Sequence, residues 1–257
     1  MSIDLSGKTV LVTGGTKGIG KGICEAFLQA GATVIACARN TPDTLPASGD
    51  KTAVFRELDV CDPVAVNEFI NGVQLGYGRL DYLVNNAGGT PFKDAATASP
   101  HFSERILALN LLAPLTVAQA ANRIMQAQDS GGLIINIASV SGLRPSPGTA
   151  IYGAAKAGLI NLTRSLAVEW APKVRVNVLA VGLVQTERSD LHYGDEAGIA
   201  AVSRTIPLQR MAKPADIGGT CVMLASPYCS YISGGCITLD GGGERPAFLD
   251  AANSSST

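Results

Sequence analysis

Alternation constrains this chain more than any other feature. Along its 257 residues, short apolar runs rich in β-branched side chains take turns with stretches of helical period. Strands are expected at Lys8–Val12, Thr33–Cys37, Ala53–Leu58, Leu80–Asn85, Leu133–Ala138, Val174–Leu179 and Cys236–Leu239. Helices are expected at Gly18–Ala30, Pro63–Tyr77, His101–Gln128, Ile151–Trp170, near Asp195–Arg204 and at Pro214–Ala225. A strand that feeds a helix and then a second strand returns by a right-handed crossover, which lays the strands parallel with helices over both faces. Runs such as TVLV and LIINIA are apolar without interruption, as burial on both sides requires. The expected fold is therefore α/β, a single doubly wound parallel sheet of about seven strands.

Composition removes several function classes. Hydrophobic residues make up 46% and charged residues 16%, too apolar for a disordered chain. Twenty basic side chains oppose 21 acidic ones, so no bulk positive field recruits nucleic acid or an anionic membrane. No apolar run reaches the ~18 to 20 residues of a spanning helix. The opening MSIDLSGKTV lacks a basic-then-apolar signal, so a cytoplasmic location is expected. The six cysteines form no C-x-x-C pair and read as free thiols, and two histidines cannot build a metal site unaided. No metal is expected. Residues 1–243 read as one catalytic domain in which the polar stretch 185–211 is a substrate lid. Residues 244–257 read as an extension whose polar end is disordered.

Between the first strand and first helix lies Thr13-Gly14-Gly15-Thr16-Lys17-Gly18-Ile19-Gly20, a G-x-x-x-G-x-G turn. Glycine suits a loop that must bend sharply, bring backbone N–H groups to a pyrophosphate and aim a helix N-terminus at its charge. In a chain of 29 glycines the turn alone is weak. Its place in a βαβ series is what points to a dinucleotide.

Tyr152 and Lys156 are four residues apart at the start of a helical stretch and share a face. Ser139 precedes Tyr152 by thirteen residues, at the carboxyl end of a strand, where open α/β sheets bind ligands. A tyrosine of ordinary pKa, about 10, exchanges protons poorly at neutral pH, and a neighbouring ammonium is expected to lower it. Together with Asn85-Asn86-Ala87-Gly88, Asn110 and the late Leu239-Asp240-Gly241-Gly242, these motifs resemble the short-chain dehydrogenase/reductase family over roughly residues 5 to 243.

The resemblance implies a Rossmann-type domain, a nicotinamide cofactor and a carbonyl/alcohol substrate, with an acyl thioester among the candidates. It gives Tyr152 the acid/base role, Ser139 the substrate oxygen, Lys156 the nicotinamide ribose and Asn110 a water in a proton relay. Asn86, Ala87 and Gly88 would lie on the adenosine side, with Asp59 and Val60 at the adenine. Gly182, Val184 and Thr186 would meet the nicotinamide, in a loop where Val181 replaces the family's usual proline. The turn Trp170–Val174 is about one residue short.

The second strand ends Ala36-Cys37-Ala38-Arg39 without a carboxylate for a ribose 2′-hydroxyl. Arg39 and Lys17 can instead pair a 2′-phosphate, so NADP(H) is expected over NAD(H). An NAD-dependent alcohol, polyol or steroid dehydrogenase is the alternative, followed by a non-catalytic dinucleotide sensor; a sugar-nucleotide epimerase is disfavoured by length. Thr90-Pro91-Phe92, Ser141 to Pro145, and Leu183, Leu191 and Tyr193 are expected around the substrate. Arg144, Arg164, Lys173 and Arg175 are candidates for an acyl-carrier docking face. Apolar stripes on the long helices (Leu107, Leu111, Leu115 and Ala118; Leu159, Leu162, Leu166 and Ala167) suggest a homotetramer built on a subunit four-helix bundle.

Overall fold

In the computed structural model, described over residues 3–187 and 189–248, seven parallel strands form one sheet. In chain order they are β1 (Thr9–Thr13), β2 (Thr33–Ala38), β3 (Val54–Glu57), β4 (Tyr82–Asn85), β5 (Gly132–Ser139), β6 (Val174–Val181) and β7 (Cys236–Leu239). Their order across the sheet is β3-β2-β1-β4-β5-β6-β7, so the winding reverses between β1 and β4. A crevice opens at the carboxyl ends of strands at such a reversal, which fixes where a ligand can lie.

The helices are α1 (Gly18–Gln29), α2 (Pro63–Tyr77), α3 (Pro100–Leu107), α4 (Ala113–Ala127), α5 (Ala150–Glu169), α6 (Asp190–Tyr193), α7 (Glu196–Thr205) and α8 (Pro214–Ala225). Strand side chains divide between two cores because successive Cβ atoms point to opposite faces. Val10 and Val12 pack with α1 and α8, whereas Leu11 packs with α2 and α4; Leu133 and Ile135 divide from Ile134 in the same way. That division accounts for the uninterrupted apolar strands. No helix among the described residues is long and apolar enough to cross a membrane.

Three sequence expectations are corrected. The helix read as continuous over His101–Gln128 is α3, a π-helical turn at Ala108–Leu112, and α4. Pro114 has no N–H for the Asn110 carbonyl, the acceptor an α-helical turn would assign to it. A two-residue hairpin, Ala47–Ser48 with Lys51–Thr52, precedes β3 unannounced. The stripes assigned to a subunit contact mostly face this chain's own core. Ala118, Leu159, Leu166 and Ala167 are buried, and Leu111, Leu115 and Leu162 pack partly buried against them. The large apolar side chains left exposed on these helices are Leu112 and Val168. The end of the expected extension, residues 249–257, lies outside the described residues.

Candidate active site

β1 runs straight into the glycine turn, where Gly14 and Gly18 hold φ of 61° and 47°. Gly20 is required by close approach: a Cβ there would stand 2.1 Å from the Gly14 carbonyl oxygen and 2.5 Å from Asn86 Nδ2. The turn is locked to the end of β4, since Asn86 Nδ2 donates to Thr13 O (2.9 Å) and Gly14 O (3.1 Å). The backbone N–H groups of Asn86 and Ala87 both donate to Thr13 Oγ1 at 3.0 Å. Sequence spacing assigns Thr13 no role beyond its place in the turn. Its hydroxyl organises both loops, and the only signal for it in the sequence is a polar residue ending an apolar strand.

The donor set fits a dinucleotide. α1 starts without a local side-chain cap and without an acidic residue in its first turn, so its N-terminus suits an anion brought from elsewhere. Thr16 is buried beneath the turn, Ile19 packs on the core, and Lys17 stands exposed at the N-cap. Arg39 lies exposed just past β2. Its charge reaches the Cys61 thiol, on the loop that carries Asp59 and Val60. Val60 is buried, and the Asp59 carboxylate accepts from Cys61 N at 2.9 Å. On the opposite side Gly182 donates to Leu239 O (2.9 Å), Val184 bridges to Ala212, and Thr186 Cγ2 lies 3.3 Å from a Cβ built at Gly18.

The acid/base candidates converge at the carboxyl end of β5. Ser139 ends that strand and caps the short turn Val140–Gly142, its Oγ accepting from Ser141 N at 3.1 Å. One turn apart on α5, Lys156 Nζ lies 5.5 Å from the centre of the Tyr152 ring. Lys156 is buried and donates to Ile137 O at 2.9 Å. Burial lowers its pKa to about 8. Burial also raises Tyr152, and hydrogen bonding with Ser139 only partly offsets that rise. The expected depression of the phenol by the ammonium does not appear: burial dominates at Tyr152, and Lys156 gives one of its three protons to a carbonyl.

Asn110 lies on the π-helical turn, wholly buried. Its Nδ2 donates to Gly89 O and Ile106 O, both at 3.0 Å, and its Oδ1 accepts from Gly89 N at 2.9 Å. Both amide protons are committed, so the side chain has none left for a relay water. A Cβ on Gly88 would lie 2.7 Å from Asn110 Oδ1 and 3.2 Å from Lys156 Nζ, so glycine there lets Asn110, the β4 loop and Lys156 meet.

Beside this group opens a cleft of about 290 Å³, walled by Val140, Leu143, Leu183 and Ile206, with Arg144 paired to Glu244. Phe92 sits over Gly148 near the start of α5 rather than in the cleft wall, and Tyr193 is partly buried in α6. The side chains of Leu191 and His192 lie outside the described residues. The members of the expected basic docking face are each held by local partners, with one exception. Arg175 donates to the carbonyls of Leu224, Cys229 and Ile232, Lys173 to those of Gln126 and Gln128, and Arg144 to Glu244. Only Arg164 stands exposed without such a bond among the described residues.

A family profile described as enoyl-(acyl carrier protein) reductase matches residues 14–244. The chain is 36% identical over 244 residues to the 3-oxoacyl-[acyl-carrier-protein] reductase FabG of Thermotoga maritima, covering 93% of this chain and 98% of that protein. It is 34% identical over 252 residues to galactitol 2-dehydrogenase of Agrobacterium fabrum, at 93% and 98% coverage. Among solved structures, the RhlG/NADP active-site complex of Pseudomonas aeruginosa superimposes with a TM-score of 0.86 at 28% identity, covering 94% of this chain and 98% of that one.

Proposed function

The chain belongs to the short-chain dehydrogenase/reductase family of oxidoreductases, and from that premise we propose that it is an NADP-dependent enzyme interconverting a carbonyl and a secondary alcohol. A bound nicotinamide would supply the hydride chemistry. The observation that carries the reading is the meeting of Ser139, Tyr152 and Lys156 at the carboxyl end of β5, on the side of the sheet that carries the glycine turn.

Ser139 holds the substrate oxygen, and the Tyr152 phenol exchanges a proton with it. With its pKa above the ordinary value, Tyr152 carries its proton at neutral pH and is poised to donate to a carbonyl oxygen. Alcohol oxidation needs the phenolate, so its rate is expected to climb with pH. Lys156, braced on Ile137 O, orients the ribose and fixes the Tyr152 ring. Asn110 acts as a positioning residue for the Gly88–Gly89 loop. A relay water would use its main-chain carbonyl, the group Pro114 cannot satisfy in α-helical fashion.

The preference for NADP(H) rests on charge. No carboxylate ends β2, and Lys17 and Arg39 are exposed, with side chains that make no hydrogen bond or ion pair among the described residues. The resemblance to the NADP-bound neighbour points the same way. The substrate is read as a carbonyl compound with an apolar body, given the cleft walls, and the acyl-carrier reductases among the relatives keep an acyl thioester among the candidates.

Wild type, Tyr152→Phe and Arg39→Ala should be assayed on a carbonyl panel with NADPH and NADH. The phenylalanine variant should lose on the order of 10²–10⁴ in turnover while binding cofactor nearly normally. Arg39→Ala should shift the kcat/KM ratio toward NADH by about tenfold to a hundredfold, the value of one or two charged hydrogen bonds. A wild-type preference for NADH, or a fully active phenylalanine variant, would overturn the reading.

A further inference from the structure

α1 has no anion of its own. Helices α2, α3 and α7 are capped locally by Asp62, Ser99 and Asp195, whereas the Lys17 side chain makes no cap and no acidic residue follows it in the first turn. A carboxylate nevertheless reaches this N-terminus from 169 residues away. Glu187 Oε1 accepts from Gly18 N at 3.0 Å. Its position is set by neighbours and not by chance exposure. Gln185 N donates to Ala212 O (2.8 Å) and Thr186 N to Ser189 Oγ (2.8 Å), which holds Thr186 and Glu187 over Gly18.

We propose that Glu187 is an affinity-setting residue, an internal anion that occupies the pyrophosphate seat of the dinucleotide site and must be displaced when the cofactor binds. The inference rests on the cofactor reading above. One N–H cannot serve a carboxylate and a phosphate oxygen together, and two anions at one helix end repel. Each dinucleotide that binds therefore trades an existing charge-assisted hydrogen bond for its own. Glu187 is exposed at the surface, so rotation of one side chain clears the seat without refolding the loop. The effect is confined to the pyrophosphate. The adenosine and 2′-phosphate pocket near Arg39 and Asp59 meets Glu187 only through the field around Lys17, so the effect there should be clearly smaller.

The test is calorimetric titration of the full chain, wild type and Glu187→Gln, with NADP⁺ and with adenosine 2′-monophosphate, which carries the adenosine and 2′-phosphate but no pyrophosphate. Glutamine keeps the shape and the acceptor while removing the charge. The variant should bind NADP⁺ about tenfold more tightly, the scale of one charged hydrogen bond, and the monophosphate with a clearly smaller gain. Glu187→Ala should behave likewise. Unchanged or weaker NADP⁺ binding overturns the proposal, as does equal tightening of both ligands, which would show a general field in place of an occupied seat. If wild type and variant bind neither NADP⁺ nor NAD⁺, the cofactor reading falls and takes this inference with it.

Discussion

Lys156 and Tyr152 occupy one face of α5, yet burial moves them in opposite directions, the lysine down to about 8 and the phenol up. The lysine's shift has a consequence for stability. Below about pH 8 it is charged whether the chain is folded or not. Between about 8 and its ordinary 10.5 the folded chain releases the proton first, the unfolded chain binds more protons, and stability rises with pH. The buried thiols of Cys24, Cys37 and Cys221 are raised by desolvation and act oppositely above their ordinary value of 9.0. The difference in unfolding free energy between wild type and Lys156→Met cancels the thiols. That difference should move in favour of wild type by about 1 kcal/mol per pH unit across the window in urea titrations. A flat or falling difference would show that Lys156 keeps its proton well above 8.

At the scale of elements, the segment 185–211 is a strap closed at its neck. Ala212 N donates to Leu183 O (3.0 Å) while Gln185 N donates to Ala212 O. Ile206 and Met211 are buried, but α7 within the strap buries none of its residues. An element with so few buried contacts opens easily, which suits a cover over the cleft that Thr205 and Ile206 line. We therefore expect amide exchange in α7 to be faster than in β5 by orders of magnitude, with substrate and cofactor together slowing it. Equal protection in α7 and β5 without ligand would exclude a lid. The π-helical turn is the other element that matters, because it is where Asn110 leaves the helical register to reach Gly89.

For the whole molecule, the question is what covers the apolar side chains the single chain leaves out. Leu112 and Val168 on the long helices, and Tyr228 and Tyr231 after α8, are exposed. Two such sets would suit two kinds of two-fold contact, and on that ground we expect a D₂ homotetramer. Light scattering at micromolar concentration should give about four times the 26.4 kDa chain mass, and Val168→Glu should reduce it to about twice that mass. A monomeric wild type would refute the assembly.

The sequence by itself determined the order and kind of nearly every element, because apolar period and punctuation are local properties. The spans of α2, α8 and β7 follow from Pro63, from Pro214 and from the short run Cys236–Leu239 set between Gly235 and Asp240, without help from the rest of the chain. It also determined the pairing of Tyr152 with Lys156, which is a matter of helical spacing, and the glycine turn, which is a matter of steric room. Tertiary structure alone decided everything that depends on what lies opposite. Thr13 became the organiser of two loops because β4 ends beside it. The long-helix leucines turned inward because the sheet supplied a surface for them. The Tyr152 phenol rose and did not fall because its environment, which no local spacing records, excludes water.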